Sequence, residues 1–225
     1  MTTTTRPTLD TVGLVLAGGG STRLAAVAEA ASGGKALLAF HGKTFLECVV
    51  TAVAAEVGRT IVVAAPGQTL PPLDGVTVAR DLAAGSGPLA GIRDGLRVAL
   101  ADGRHAAPTP RLAFVASCDL PLLRQEVVRL LVDEARRADA LWTVPIVHGH
   151  RQVLVSVMRV ELLPRIEAWL ATGRRDLRGL VDKIAQDDPR HIHAVTEAEV
   201  AAVDPTLESF VDIDTPDDLE RLQSR

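Results

Sequence analysis

The sequence predicts a single α/β domain, a three-layer αβα sandwich around a mainly parallel sheet. Three observations carry this expectation. Strand-like apolar runs alternate with segments of helical spacing along nearly the whole chain, and such alternation places helices on both faces of a parallel sheet. The 225 residues are 47% hydrophobic, enough to bury one sizeable core. Chemically loaded turns follow three of the apolar runs, where open α/β sheets bind ligands at the carboxyl ends of their strands.

The elements follow in order. The run Val12-Gly13-Leu14-Val15 reads as a buried strand ended by glycines. Residues 44–57 carry apolar side chains at helical spacing, and the β-branched run 60–65 is a strand closed by Pro66-Gly67. A further strand is expected over 75–79 and a helix over 88–101, after the turn Gly85-Ser86-Gly87. Then come a strand at 111–117, a helix at 124–138, strands at 140–145 and 152–158, and helices at 160–171 and 176–184. A short late strand is expected over 210–213. Thr215-Pro216-Asp217-Asp218 opens the last helix with an N-cap hydroxyl, a proline at the first helical position and acids in the first turn. Residues 1–10 read as a disordered tail and 11–225 as the domain.

Composition excludes several function classes. No apolar run reaches the ~20 residues needed to span a bilayer, and the threonine-rich N-terminus lacks the apolar core of a signal peptide. Cys48 and Cys118 form no paired motif and fit free thiols in a cytoplasmic protein. The formal net charge of -4 and the absence of a basic patch interleaved with aromatics argue against nucleic acid as a partner.

The most informative stretch is Leu16-Ala17-Gly18-Gly19-Gly20-Ser21-Thr22-Arg23-Leu24. Glycines let the backbone turn and approach a ligand closely, and consecutive N–H groups form a concave anion site. Arg23 sits just beyond, and Lys35 follows in a chain that has only Lys35, Lys43 and Lys183 as lysines. The arrangement suggests a phosphate-binding loop, although glycines after a strand also make plain tight turns. Neither common phosphate motif fits. The dinucleotide fingerprint needs glycine where Arg23 stands. The Walker pattern needs glycine where Glu29 or Leu37 stands.

Asp119, in Ser117-Cys118-Asp119-Leu120-Pro121, ends an apolar strand that Pro121 stops. A carboxylate there suits magnesium, which takes one or two carboxylates plus phosphate oxygens and waters. An Asx-turn or helix cap is the plainer alternative. Asp81 follows the third strand. Asp212 and Asp214 alternate and at period 2 face one side; they complete a metal or substrate site, or are solvated residues before a helix. His148 and His150 flank Gly149 in an expected exposed hairpin, and His191 and His193 are expected on one face of a short strand. Neither pair has a third metal ligand beside it.

On these residues the chain resembles the molybdenum cofactor guanylyltransferases, within the wider group of nucleotidyltransferases with a Rossmann-like sheet of the nucleotide-diphospho-sugar transferase type. Leu16-Ala17-Gly18-Gly19 with Arg23 and Lys35 resembles the signature loop. Asp81 with Gly87-Pro88-Leu89-Ala90-Gly91 resembles the second nucleotide segment, and Cys118-Asp119-Leu120-Pro121 the metal segment. Gly173-Arg174-Arg175-Asp176-Leu177 is similar to a late glycine-arginine turn, and residues 210–219 to the C-terminal segment. The chain departs from the family in a longer, alanine-rich 24–34 segment. It also has Ala64 where an asparagine is common, Val153 in place of a proline, and Asp212 and Asp214 in place of two asparagines.

The resemblance implies a Mg2+-dependent enzyme that joins GMP from GTP to a phosphorylated acceptor, the molybdopterin form of the molybdenum cofactor, and releases pyrophosphate. Leu16, Ala17, Gly18, Gly19, Lys35, Ala64, Asp81 and Asp119 are then the nucleotide-binding positions. Arg23, Lys35 and Asp119 are catalytic, Asp119 holds the metal, and Asp212 and Asp214 touch substrate. Alternatives are a molybdopterin cytidylyltransferase, a sugar-phosphate nucleotidylyltransferase, a phospholactate guanylyltransferase, or a nucleotide-binding homologue without catalysis.

Overall fold

The computed structural model describes residues 8–18, 34–81, 87–101 and 109–223. Its first strand, β1 (Thr8–Leu16), is the centre of the sheet. It pairs in parallel with β4 (Val57–Ala64) on one side and with β6 (Leu112–Ser117) on the other. The chain order reverses here, so the carboxyl ends of β1, β4 and β6 open onto one crevice. Residues 8–10, expected in the tail, form the start of β1, and Asp10 pairs with Arg136.

Outward from β4 lies the parallel edge strand β5 (Val76–Arg80). Outward from β6 the sheet changes character. β9 (Val155–Arg159) is antiparallel to both β6 and β7 (Trp142–Val147), and β10 (Ile192–Val195) closes the other edge parallel to β7. The cause is local. His148 and Gly149 take left-handed φ of 51° and 74° and turn β7 straight into β8 (His150–Arg151). A two-residue turn of this kind joins only antiparallel strands. The expected strands at 140–145 and 152–158 are present, shifted by a few residues. A small separate hairpin, β2 (Ala39–Phe40) with β3 (Lys43–Thr44), turns at His41-Gly42.

Helices cover both faces. α1 (Phe45–Ala54) and α3 (Gln125–Arg137) bury their apolar stripes on one face, against Val15, Val62, Phe114 and Val157. Thr44 starts α1 with a capping box: its hydroxyl accepts from the Glu47 N–H, and the Glu47 carboxylate accepts from the Thr44 N–H. The opposite face carries α2 (Pro88–Ala101), α4 (Leu163–Ala171) and α5 (Leu177–Asp187), packed on Leu14, Ile61, Val115 and Trp142. In α2, a Cβ on Gly95 would lie 3.0 Å from side-chain carbons of both Leu14 and Val63, so that glycine lets the helix sit close on β1 and β4. The remaining helices are α6 (Glu197–Ala201) and α7 (Pro216–Gln223).

Two expectations fail. Residues 210–213 form no strand: Glu208–Phe210 is a 3-10 turn and the following residues run without regular structure. They meet no open sheet edge, because both outer strands lie elsewhere. His191 ends the 3-10 turn Pro189–His191 and is not on β10. His193 is on that strand, 3.2 Å from the Glu134 carboxylate.

Candidate active site

The site is built from the three strand ends. After β1, the N–H groups of Ala17 and Gly18 both donate to the Val63 carbonyl, at 2.8 and 3.3 Å. The Cys118 N–H donates to Leu16 O at 3.0 Å, which ties the exit of β6 to that of β1. Leu16, Ala17 and Ala64 bury their side chains, so they shape the crevice through backbone. Gly18 is a glycine for a steric reason: a Cβ there would lie 2.9 Å from the Ala65 backbone nitrogen. The Ala17 and Gly18 N–H groups are thus bonded within the sheet. Gly19 and Arg23 fall outside the described residues.

Next to this turn, the Asp81 N–H donates to Ala64 O at 2.9 Å, which places Asp81 beside the end of β4. Sequence reasoning missed the residue that braces this wall. Gln68 donates through Nε2 to Ala17 O and accepts at Oε1 from the Ala65 N–H, both at 3.0 Å. Arg80 adds bonds to the carbonyls of Gln68 and Ala65, at 2.7 and 3.2 Å. The Pro66-Gly67 turn, with Gly67 at φ 71°, folds Gln68 back onto β1. A lone amide in a loop carries no sequence pattern, so the turn was the only available signal.

The charged cluster lies at the other side of the crevice. Lys35 opens a short 3-10 turn, Lys35–Leu37, after Gly34 in a left-handed conformation (φ 71°). Its ammonium is ion-paired with Asp214 and stands 3.8 Å from Asp119 Oδ2. The Ile213 N–H donates to Asp119 O at 3.0 Å and fixes the late segment over the exit of β6. Thr215 then caps α7, exchanging hydrogen bonds with Asp218. Positions 35, 119 and 214, far apart in the sequence, therefore form one group. Burial pushes the Asp119 carboxyl up from its ordinary range. A hydrogen bond from Ser117 and the charge of Lys35 oppose the shift, while Asp214 and Asp212 reinforce it.

This donor set fits a hard divalent cation. The oxygens are carboxylate, negative charge is in excess of the one nearby lysine, and a cation would offset the burial that disfavours the ionised Asp119 carboxylate. Among the described residues no three His, Cys, Asp or Glu side chains group as a complete metal site. Magnesium bound against phosphate needs only one or two carboxylates.

Cys118 sits beside this group without belonging to its chemistry. Burial pushes its thiol up to about 12, and thiols react as thiolates. The folded protein is expected to leave Cys118 unmodified by iodoacetamide at pH 8 and to label it only after unfolding, as read by peptide mass spectrometry. Both cysteines are free thiols, and no described helix is long and apolar enough to cross a membrane.

A protein named probable molybdenum cofactor guanylyltransferase from Mycobacterium avium (strain 104) is 33% identical over 201 residues, covering 87% of this chain and 95% of its own. The crystal structure of molybdopterin-guanine dinucleotide biosynthesis protein A from Archaeoglobus fulgidus superposes with a TM-score of 0.70 at 22% identity, covering 95% of this chain and 97% of that one. The 2-C-methyl-D-erythritol 4-phosphate cytidylyltransferase of Thermus thermophilus gives a TM-score of 0.64 at 17% identity, covering 94% and 96%. The fold is thus shared by enzymes named for different bases. The family described as MobA-like NTP transferase domain matches residues 13–190, most of the chain. With the strand-end crevice and its Lys35, Asp119 and Asp214 group, this places the chain in the MobA-like NTP transferase family, as a nucleotidyltransferase.

Proposed function

We propose that this chain is a cytoplasmic, magnesium-dependent guanylyltransferase that transfers GMP from GTP to the terminal phosphate of molybdopterin. The observation that carries the reading is the meeting of Lys35, Asp119 and Asp214 where β1 and β6 end, beside the glycine turn. Relatives named molybdenum cofactor guanylyltransferase supply the base and the acceptor.

An acceptor phosphate is already an anion, so no general base is required. One of its oxygens attacks the α-phosphorus of GTP, and the bond to the β-phosphate oxygen breaks to release pyrophosphate. Catalysis is then positioning plus neutralisation of charge. Asp119, with Asp214 beside it, would hold the magnesium ion, which supplies positive charge against the triphosphate. Lys35 exchanges its pairing with Asp214 for a phosphate oxygen. Arg23 adds a second cation to the same chain of phosphates. Asp81 and the turn from Leu16 to Gly19 hold the guanosine end, where the absence of a Cβ at Gly19 lets a purine approach the backbone.

Base choice is tested by ligand stabilisation of the fold. GTP with magnesium is expected to raise the melting temperature more than CTP, UTP or ATP at equal concentration, because a ligand that binds the native state stabilises it by mass action. Gly19→Ala is expected to reduce the GTP shift more than the CTP shift. A larger shift with CTP would overturn the guanylyl reading.

A further inference from the structure

Asp204, in the turn after α6, is fully buried, and so is Ser209. The Asp204 carboxylate accepts from the Ser209 N–H at 2.9 Å and from the Thr206 hydroxyl at 3.4 Å, and it pairs with Arg124 Nε at 3.3 Å. Arg124 stands at the N-cap of α3, where its side chain makes no cap hydrogen bond. Its N–H donates instead to the Ser209 hydroxyl at 3.0 Å, and its guanidinium also lies 3.8 Å from the Glu208 carboxylate. A buried ion pair adds little net stability, whereas it can fix the geometry of the segments it joins.

The segments joined here are those that carry the site. Arg124 lies in the stretch of chain that runs on from Asp119, and Ser209 in the stretch that runs on to Asp214. The two stretches pass each other in opposite senses. They meet where the Arg124 N–H reaches the Ser209 hydroxyl, and again where the Ile213 N–H reaches Asp119 O at 3.0 Å. Between those points Glu208–Phe210 is a 3-10 turn entered through Leu207 at φ 55°, and residues 211–214 belong to no strand or helix. The path of this segment is therefore set by a few fixed points on the same stretch that carries Asp119. Downstream, α7 rests through Leu219 and Leu222 on Leu38, Phe45 and Ile213.

We propose that Arg124, Asp204 and Ser209 are positioning residues, a clamp that holds Asp214 against Lys35 and near Asp119. The clamp ties the segment at its end remote from the site, and the bond from Ile213 to Asp119 ties it at the near end, so both carboxylates share one frame. That the frame serves a cation rests on the guanylyl-transfer reading, whereas the placement of Asp214 does not. Arg129, also on α3, gives the comparison. It pairs with the nearly buried Glu56 at 2.7 Å and is as exposed as Arg124, 43% against 42%. Glu56, however, precedes the amino end of β4, opposite the crevice.

The test uses the scarcity of lysine. Wild type, Arg124→Gln, Ser209→Ala and Arg129→Gln are pulsed with acetic anhydride well below their melting temperatures, and acetylation of Lys35, Lys43 and Lys183 is read by peptide mass spectrometry. In the wild type Lys35 is 13% exposed and ion-paired with Asp214, so it should label slowly. In Arg124→Gln it should label on the order of tenfold faster, the scale of one lost charge-assisted contact, with a smaller rise in Ser209→Ala. Lys43 and Lys183 should not change. Arg129→Gln should match the wild type at all three lysines, because lost stability alone does not free Lys35. Titration with Mn2+ alone, followed by the paramagnetic resonance of the free ion, should show weaker binding to Arg124→Gln and unchanged binding to Arg129→Gln. Wild-type labelling of Lys35 in both clamp variants overturns the proposal, and so does an equal rise in Arg129→Gln. Should Arg124→Gln fail to fold, Ser209→Ala, which keeps every charge, decides alone. Faster Lys35 labelling with unchanged Mn2+ binding, or with none in the wild type, upholds the clamp and counts against the cation reading instead.

Discussion

Asp119→Asn is expected to abolish most activity while making the ligand-free protein no less stable. The substitution keeps the shape at the exit of β6 and removes the charge that would hold the proposed cation. Turnover should fall on the order of a hundred- to a thousandfold, the scale seen when one group that stabilises developing charge is removed. Stability should move the other way. Burial and the neighbouring Asp214 and Asp212 push the Asp119 carboxyl up, against Ser117 and Lys35, so ionising it disfavours the folded state. The raised acid therefore stabilises the fold fully only below its unfolded pKa, and that contribution is lost as pH rises through the folded value. At neutral pH, Asp119→Asn should melt at or above the wild-type temperature, with the gap closing as the pH falls toward the ordinary carboxylate range. Pyrophosphate release and melting curves on one preparation check both halves. Near-normal release by a folded Asp119→Asn protein would remove this residue from the chemistry.

Lys35→Ala is the second large effect. Its ammonium is ion-paired with Asp214 and stands 3.8 Å from Asp119 Oδ2. A lost charge-assisted contact is worth about 1.5–3 kcal/mol, so GTP and GDP should bind roughly ten- to 150-fold more weakly. Guanosine, which lacks phosphates, should bind as before. Lys35 also holds the Asp119 carboxyl down, so without it that carboxyl rises further and the acid limb of the rate profile moves to higher pH. Calorimetric titration with GTP, GDP and guanosine reads the first effect, and the pH dependence of residual turnover reads the second. Equal weakening for guanosine would make Lys35 a support of the loop alone.

The parts legible in the sequence were those with a strong local pattern. The apolar runs at β1, β4 and β6 and the amphipathic spacing of α1, α2 and α3 stand where they were expected. Asp119 and Asp81 were visible because a carboxylate follows such a run, and Lys35 because lysine is scarce in this chain and this one follows the glycine-rich turn. Asp214 was visible as a candidate for the wrong geometric reason. The alternation in Phe210-Val211-Asp212-Ile213-Asp214 reads as a strand, yet the segment is tied down by one bond from the Ile213 N–H to Asp119 O and by Lys35. Tertiary contacts of this kind have no local signature. The hairpin expected at His148-Gly149-His150 is present and makes the strands around it antiparallel, whereas an apolar run has no direction of its own. The left-handed pair His148-Gly149 decides it. Gln68 and Arg80 act through loop carbonyls that only the fold brings near.

In the proposed reaction the Lys35, Asp119 and Asp214 crevice joins GMP to molybdopterin. The most direct measurement incubates the protein with molybdopterin, magnesium and each of the four nucleoside triphosphates in turn, and weighs the products by mass spectrometry. A GMP adduct and stoichiometric pyrophosphate are expected with GTP, both dependent on magnesium and both lost in Asp119→Asn. A CMP adduct, or no adduct with any nucleotide from a folded protein, would contradict it.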